Sequence, residues 1–186
     1  MTTEIKTILA ELREDHRNMS ILLDLVEAQM LKVDAGEEPD LELLRDIMQY
    51  MTTYSDTIHH PKEDLVYAEM KDAGGDIAKG LEHVEEDHVE IARFGKSLRD
   101  DIDAMMAGTA VTRDHVLHDM IDYVHGLRKH MAWEEGDLFM RADAMIDEES
   151  KSVDLGHLEV GDPVFGATSE AAFKNLLHHL QIAAGR

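Results

Sequence analysis

Apolar side chains recur at intervals of three and four residues through four long stretches of the chain, which is the pattern of amphipathic helices. The stretches cover residues 3–33, 41–71, 77–107 and 112–146. Only short segments rich in glycine, proline or acidic residues separate them. Because short connections between long helices make antiparallel neighbours, the pattern predicts an all-α protein built as an up-down-up-down four-helix bundle.

The composition changes after residue 146. An irregular segment follows, marked by Gly156, Gly161, Pro163 and Gly166. The spacing then predicts a short C-terminal helix over 169–183, which docks on the bundle or meets a partner chain. We therefore expect a bundle domain over 1–150, followed over 151–186 by a linker and a short helix packed on the bundle.

One histidine interrupts the inward-facing apolar stripe of every long helix near its middle, and two of the helices add a glutamate four residues later. The interrupting residues are His16, His59, Glu63, His88, His130 and Glu134. Counted from the connecting turns, the four histidines lie at the same depth to within about 3 Å. Burying two carboxylates costs several kcal/mol per ion unless positive charge compensates, and no Lys or Arg stands on the stripes at this level. The pattern favours a pair of first-row metal ions, and a buried hydrogen-bonded polar network is the alternative.

His60 is a seventh candidate ligand. It follows His59, about 100° further around the helix, and borders the core. Pro61 removes a helical hydrogen bond and clashes with the carbonyl of Thr57, so a kink there could swing His60 inward. The alternative is a solvated histidine at the kink. His83 could reach the same level only through a locally widened turn.

Two tyrosines lie close to the candidate ligands along the chain. Tyr67 lies one turn after Glu63, and Tyr123 lies two turns before His130. Each could donate a hydrogen bond near a ligand, or each could be a core aromatic residue whose hydroxyl reaches a polar edge.

The overall charge excludes several classes of partner. Forty acidic residues against eighteen basic ones give a formal charge of -22, which repels nucleic-acid phosphates and anionic membrane surfaces. The chain has no cysteine, so thiol catalysis, disulfides and iron–sulfur clusters are ruled out. No apolar run is long enough to span a membrane, and the first residues lack a secretory signature. We expect a cytoplasmic protein, and the sequence does not indicate its oligomeric state.

Four strings around the candidate ligands resemble the haemerythrin family, in its bacterial haemerythrin-like HHE branch. They are Glu14-Asp15-His16, His59-His60-Pro61-Lys62-Glu63-Asp64, Glu86-Asp87-His88 and His130-Met131-Ala132-Trp133-Glu134-Glu135. The resemblance covers essentially the whole chain. It implies a non-haem centre of two iron ions with an oxo or hydroxo bridge.

The resemblance also implies a role for each candidate ligand. His16 and His59 would bind one iron, His88 and His130 the other, and Glu63 and Glu134 would bridge them. In related domains the residue at the position of His60 also ligates. Classical oxygen carriers take their last carboxylate five residues after its histidine, which is Glu135 here.

The expected function is binding of O2 or a related small oxidant, namely peroxide or NO, for sensing, storage or stress protection. A histidine-rich donor set carries less negative charge than a carboxylate-rich one, which favours the ferrous state and reversible ligand binding. The alternatives are a catalase-like enzyme that decomposes peroxide at the same site, and a metal-free helical interaction module.

Overall fold

Helices account for most of the residues that the computed structural model describes, which are 2–148, 151–158, 162–165 and 174–183. The prediction of an all-α protein is therefore confirmed. The elements are β1 (Thr2–Glu4), α1 (Ile5–Asp34), α2 (Leu41–Tyr54), a π-helical turn (Ser55–His59), α3 (His60–Ala73), a 3-10 turn (Leu81–His83), α4 (Val84–Met106), α5 (Arg113–Trp133), a second π-helical turn (Glu134–Leu138), α6 (Phe139–Glu148), β2 (Ser152–Asp154), a 3-10 turn (Gly156–Leu158) and α7 (Lys174–Ala183).

Two of the four predicted long helices contain a π-helical turn. The second predicted helix is a continuous helical run formed by α2, the turn Ser55–His59 and α3. The fourth is formed in the same way by α5, the turn Glu134–Leu138 and α6. α1 packs against α5 and α3, α2 packs against α4, and α4 packs against α5. The four runs therefore enclose one common interior.

The chain start differs from the prediction of a helix from Thr3. Residues Thr2–Glu4 form strand β1, which pairs antiparallel with β2, Ser152–Asp154. Thr3 stands opposite Val153 in this ladder, and α1 begins only at Ile5. The helix starts later because the backbone groups that precede α1 pair with a segment about 150 residues away along the chain.

The third long helix also begins later than the predicted Ile77. Gly80 has a positive φ of 86°, a left-handed conformation that glycine adopts without steric cost and that interrupts a right-handed helix. The 3-10 turn Leu81–His83 follows, and regular α4 begins at Val84.

Two apolar clusters fill the interior, and the candidate ligands separate them. On α1, Leu12 belongs to the first cluster and Met19 to the second, with His16 between them. On α4, Val84 belongs to the first cluster and Ile91 to the second, with His88 between them. The polar residues thus lie in one layer across the bundle, with apolar packing on both sides.

The described part of the tail packs on the bundle. Val164 and Leu176 are buried in the second of these clusters, and α7 packs against α2. The boundary expected at residue 150, and the start expected for the last helix at residue 169, lie outside the described residues. Among the described helices, none has the length and apolar character that crossing a membrane requires.

Candidate metal centre

The two π-helical turns lie at the candidate ligands themselves. Pro61 has no backbone N–H, and its ring crowds the carbonyl four residues earlier. The helix widens just before it, and the N–H of His60 donates to the carbonyl of Ser55, five residues back. In the same way the N–H of Phe139 donates to the carbonyl of Glu134. Such insertions shift the residues on either side around the helix axis, and they are frequent at functional sites.

Four imidazoles point the same nitrogen, Nε2, into the polar layer. Nε2 of His59 lies 3.0 Å from Oε1 of Glu63, and Nε2 of His16 lies 3.8 Å from the same oxygen. The other carboxylate oxygen of Glu63, Oε2, lies 3.4 Å from Nε2 of His88. Glu63 therefore faces a different histidine group with each of its two oxygens.

Glu134 completes the arrangement from the opposite helical run. Its Oε2 lies 3.2 Å from Nε2 of His130 and 3.4 Å from Nε2 of His16. Its other oxygen, Oε1, accepts a hydrogen bond of 2.7 Å from the Tyr67 hydroxyl. Nε2 of His88 and Nε2 of His130 are 3.0 Å apart. The donor atoms converge on one small volume.

These donors form two overlapping groups with the spacing of metal ligands. His16, His59 and Glu63 make the first group, and Glu63, His88, His130 and Glu134 make the second. Within each group the donor atoms lie within 4.8 Å of one another. The six residues that interrupt the apolar stripes are therefore brought together by the fold, and Glu63 belongs to both groups.

Burial makes this layer costly without a bound cation. The side chains of Glu63 and Glu134 are fully buried, and both oxygens of Glu63, Oε2 of Glu134 and Nε2 of His16 have no hydrogen-bond partner in the described structure. A buried polar atom without a partner costs about 1–3 kcal/mol, and more when it is charged. Imidazole and carboxylate donors suit first-row divalent ions, so the residues fit a metal at this place.

In the metal-free protein the histidines must supply the compensating charge. Burial lowers the pKa of His59, but the carboxylates of Glu63 and Asp15 outweigh it and raise that pKa to about 10. Burial raises the pKa of Glu63, but the neighbouring histidines, His59 first among them, bring it well below its usual value. A cation would take over the role of these protons.

A second set of residues fixes the histidine rings through Nδ1, the nitrogen that points away from the donor groups. Nδ1 of His59 donates to Oδ2 of Asp15 at 3.1 Å, and the Tyr54 hydroxyl donates to Oδ1 of the same carboxylate at 3.1 Å. Nδ1 of His16 donates to Glu135 at 3.2 Å. With its Nδ1 protonated, a neutral imidazole leaves the Nε2 lone pair free for a metal. Sequence reasoning missed Asp15 and Tyr54, although Asp15 stands directly beside His16 in the chain.

His60 lies beside the two groups and in neither of them. Its ring stacks on the His88 ring, with 3.8 Å between the centroids and an interplanar angle of 15°. Its Nδ1 lies 3.8 Å from Oδ1 of Asp56. Burial, and next the neighbouring His88, lower the pKa of His60 to about 3, so its ring is neutral. Its role as a ligand stays a prediction.

Two residues near the candidate ligands, His83 before α4 and Glu135 in the fourth run, do not point into the polar layer. His83 is 64% exposed and lies near the side chains of Glu82 and Glu86. Glu135 is 44% exposed and contacts the outer nitrogen of His16, whereas Glu134 faces the donors. The inward carboxylate is thus four residues after its histidine.

A third group of possible ligands lies between α4 and α5, away from this layer. It consists of Asp101, His115 and Asp119. Nε2 of His115 lies 3.4 Å from Oδ2 of Asp101, and Asp119 accepts a hydrogen bond from Ser97. The sequence pattern gave no reason to single out this group, because none of its members stands on an inward stripe.

Comparison with protein families gives a match over most of the chain. The family described as "Hemerythrin HHE cation binding domain" matches residues 7–148, a range that includes both helical runs with their π-helical turns and every member of the two donor groups. Comparison with curated proteins found no match, and comparison with solved structures found none either. The chain belongs to the hemerythrin HHE cation-binding domain family.

Proposed function

We propose that the two donor groups hold two iron ions and that the centre binds O2, peroxide or NO. His16 and His59 would hold one iron, His88 and His130 the other, with Glu63 and Glu134 between them and an oxo or hydroxo bridge joining the ions. One observation carries the proposal: the two oxygens of Glu63 are fully buried, have no hydrogen-bond partner in the described structure, and face different histidine groups.

The protein's own residues prepare the centre. Asp15 and Glu135 hold the Nδ1–H groups of two histidines, and Tyr67 holds one oxygen of Glu134. The apolar clusters cover the layer from both ends of the bundle. Iron, when bound, supplies the coordination position and the electrons that O2, peroxide or NO needs. Four imidazoles against two carboxylates limit the negative charge of the donor set, which favours the ferrous state and reversible binding.

The biological use of such a centre is sensing, storage or protection against oxidants. These uses share one requirement, a metal that small neutral molecules reach and that bulk water does not surround. The buried donors and the apolar packing on both sides support the second part, the exclusion of bulk water.

The test is metal quantitation together with an optical spectrum. Protein loaded with ferrous iron without oxygen should retain about two ions per chain, and after exposure to air it should absorb in the near-ultraviolet as oxo-bridged ferric pairs do. Glu63→Gln should lower iron to about one ion or less per chain, whereas Glu90→Gln, at an exposed position of α4, should not.

Two other results would replace the proposal. Wild-type protein that retains less than about one iron, manganese or zinc per chain after loading would favour the metal-free interaction module. Rapid gas evolution from added hydrogen peroxide, lost in His130→Ala, would favour a peroxide-decomposing enzyme over a binding protein.

A further inference from the structure

A cavity of about 420 Å³ reaches from the protein surface to the edge of the candidate centre. It lies between α2, α4 and α5, and His60 forms part of its wall. Met51, Ile91 and Leu127 supply apolar wall, and exposed Ala92 stands on α4 at the same cavity. A volume of this size falls in the range of small-molecule pockets.

The centre is least buried on the side of this cavity. The side chains of His60 and His88 are 15% and 14% exposed, whereas those of His16, His59 and His130 are 4% exposed or less. Because the His60 ring stacks on the His88 ring, a molecule in the cavity that touches His60 lies one ring away from a candidate ligand.

Two residues on the cavity wall carry hydroxyl groups that no described side chain or backbone group pairs with. Tyr123 is 2% exposed and Ser55 is 8% exposed, and both line the cavity. Within the described part of the chain, neither hydroxyl makes a hydrogen bond. Both residues face the cavity, so an occupant that can hydrogen-bond has two hydroxyl partners on the wall.

The charges at the cavity disfavour an anionic occupant. Asp56, Asp100 and Asp103 line it together with Lys96 and Arg99. Lys96 is paired with Asp100, and Arg99 donates to Thr52 at 2.9 Å. Asp56 has its Oδ1 3.8 Å from the His60 ring, so an anion that approached His60 would meet a carboxylate.

A second cavity reaches the opposite side of the centre, and it is blocked. It has a volume of about 470 Å³ and is lined by His16, Ala132 and Glu135 among others. There Glu135 covers Nδ1 of His16, and the ring is 3% exposed.

We propose that the cavity at Tyr123 and His60 is the access route and binding pocket for an uncharged, hydrogen-bonding oxidant, of which hydrogen peroxide is the smallest. This inference rests on the proposed function, because it assigns the path to the same centre.

The chain has no cysteine. A single introduced cysteine can therefore be modified selectively after folding, and the attached group then blocks the cavity. Ala92→Cys and Ala132→Cys place one thiol in each cavity, both at exposed helical positions. Each variant is loaded with iron, and half of the sample is modified with benzyl methanethiosulfonate. Both halves are made ferrous and mixed with hydrogen peroxide, or without oxygen with nitric oxide, and the change in absorption is followed by stopped flow.

Modification at position 92 should slow both reactions by about tenfold or more, and modification at position 132 should change them by less than about twofold, with the same final spectra. Slowing at position 132 alone, or at neither position, would overturn the access route. If unmodified protein holds iron but neither ligand changes its spectrum, the proposed function fails, and this inference with it.

Tyr123→Phe tests the hydrogen-bonding part of the proposal. Removing the hydroxyl should slow the reaction with hydrogen peroxide by about threefold or more, because one hydrogen bond to the occupant is lost. Nitric oxide binding should stay unchanged, since this ligand is a weak hydrogen-bond acceptor. Equal rates for peroxide in the variant and the wild type would show that the cavity conducts ligands without binding them, and would overturn the pocket.

Discussion

Oδ2 of Asp15 lies 3.1 Å from Nδ1 of His59, while Nε2 of the same ring lies 3.0 Å from Glu63. The imidazole is therefore held between two carboxylates, one behind it and one in front. A carboxylate behind a ligating histidine fixes its tautomer and orientation and raises its basicity. Asp15 is itself fixed by the Tyr54 hydroxyl at 3.1 Å, so the ring is oriented before any metal arrives.

Asp15→Asn should lower iron affinity by about 10- to 100-fold, the usual effect of removing such a partner. The amide keeps the size of the side chain but removes its charge. Affinity is measured by competition with a chelator. Asp46→Asn is the matched control, because Asp46 is equally buried at 5% exposure but pairs with Arg45 instead of a candidate ligand. Equal losses in both variants would mean that buried charge in general, and not the contact to His59, sets the affinity.

Glu134→Gln should abolish binding of one ion, and Glu135→Gln should not. Glu134 is fully buried with its Oε2 facing two histidines, whereas Glu135 is 44% exposed and contacts only the outer nitrogen of His16. Iron per chain is measured after ferrous loading and desalting. The reverse result would show that the last carboxylate stands five residues after its histidine, as in classical oxygen carriers.

The depth of the site along the bundle could be predicted from the sequence because helix geometry is regular. His16 and His88 each interrupt an apolar stripe on a helix without a π-helical turn, and counting residues from the turns placed them at one depth. The fold bears this out, since the two residues lie in the layer between the apolar clusters. Inward direction and depth follow from a rise and a period that hardly vary between helices.

The contacts of the site could not be predicted in the same way. The π-helical turns Ser55–His59 and Glu134–Leu138 shift the following residues around the axis, and only Pro61 gave a local sign of the first one. Asp15 and Tyr54 contact His59 across helices, so no period along one helix indicates them. The pairing of β1 with β2 likewise depends on where the chain end meets the tail.

Metal-free protein should lose stability below neutral pH, and His60 should account for part of the loss. Its pKa is about 3 in the folded protein and about 6.5 in an unfolded chain. Between these values the unfolded chain binds a proton that the folded protein does not, so the free energy of unfolding falls as the pH falls.

His60→Gln should therefore reduce the acid slope by up to about 1.4 kcal/mol per pH unit between pH 6 and 4. The measurement is urea unfolding of metal-free protein at several pH values. His118→Gln is the control, since that side chain is 69% exposed. His59 acts in the opposite direction: its raised pKa of about 10 gives stability that is present below pH 6.5 and is lost as the pH rises through 10. Identical acid slopes in the wild type, His60→Gln and His118→Gln would refute the assignment to His60.

Gly95→Ala should destabilise the bundle by about 1–2 kcal/mol, although alanine favours helices. A Cβ at position 95 would lie 3.1 Å from Thr52 Cγ2 and 3.2 Å from Tyr123 Cε2, so α4 could no longer approach its neighbours as closely. At Gly136 an added Cβ meets no described atom within 4 Å, and Gly136→Ala should raise stability by about 0.5–1 kcal/mol. Thermal and urea unfolding of both variants check this, and a stable Gly95→Ala protein would show that the helices can separate without cost.

Tyr67→Phe should destabilise the metal-free protein by about 1–3 kcal/mol, because it leaves Oε1 of Glu134 buried without its 2.7 Å hydrogen bond. The contact is present in the structure, and Tyr67 is 3% exposed. Tyr123→Phe is a matched control: Tyr123 is 2% exposed, but its hydroxyl has no hydrogen bond within the described part of the chain. Loss of the Tyr123 hydroxyl should change the free energy of unfolding by less than about 0.5 kcal/mol.

Iron binding by Tyr67→Phe separates two roles of the Tyr67 hydroxyl. If the phenol only stabilises a buried carboxylate, loaded protein should regain most of the lost stability, because a cation then holds the freed oxygen. If the phenol fixes the direction of Glu134, the loaded variant should stay weak and lose iron faster than the wild type. The position of the hydroxyl behind Glu134, opposite the histidine donors, favours the second result.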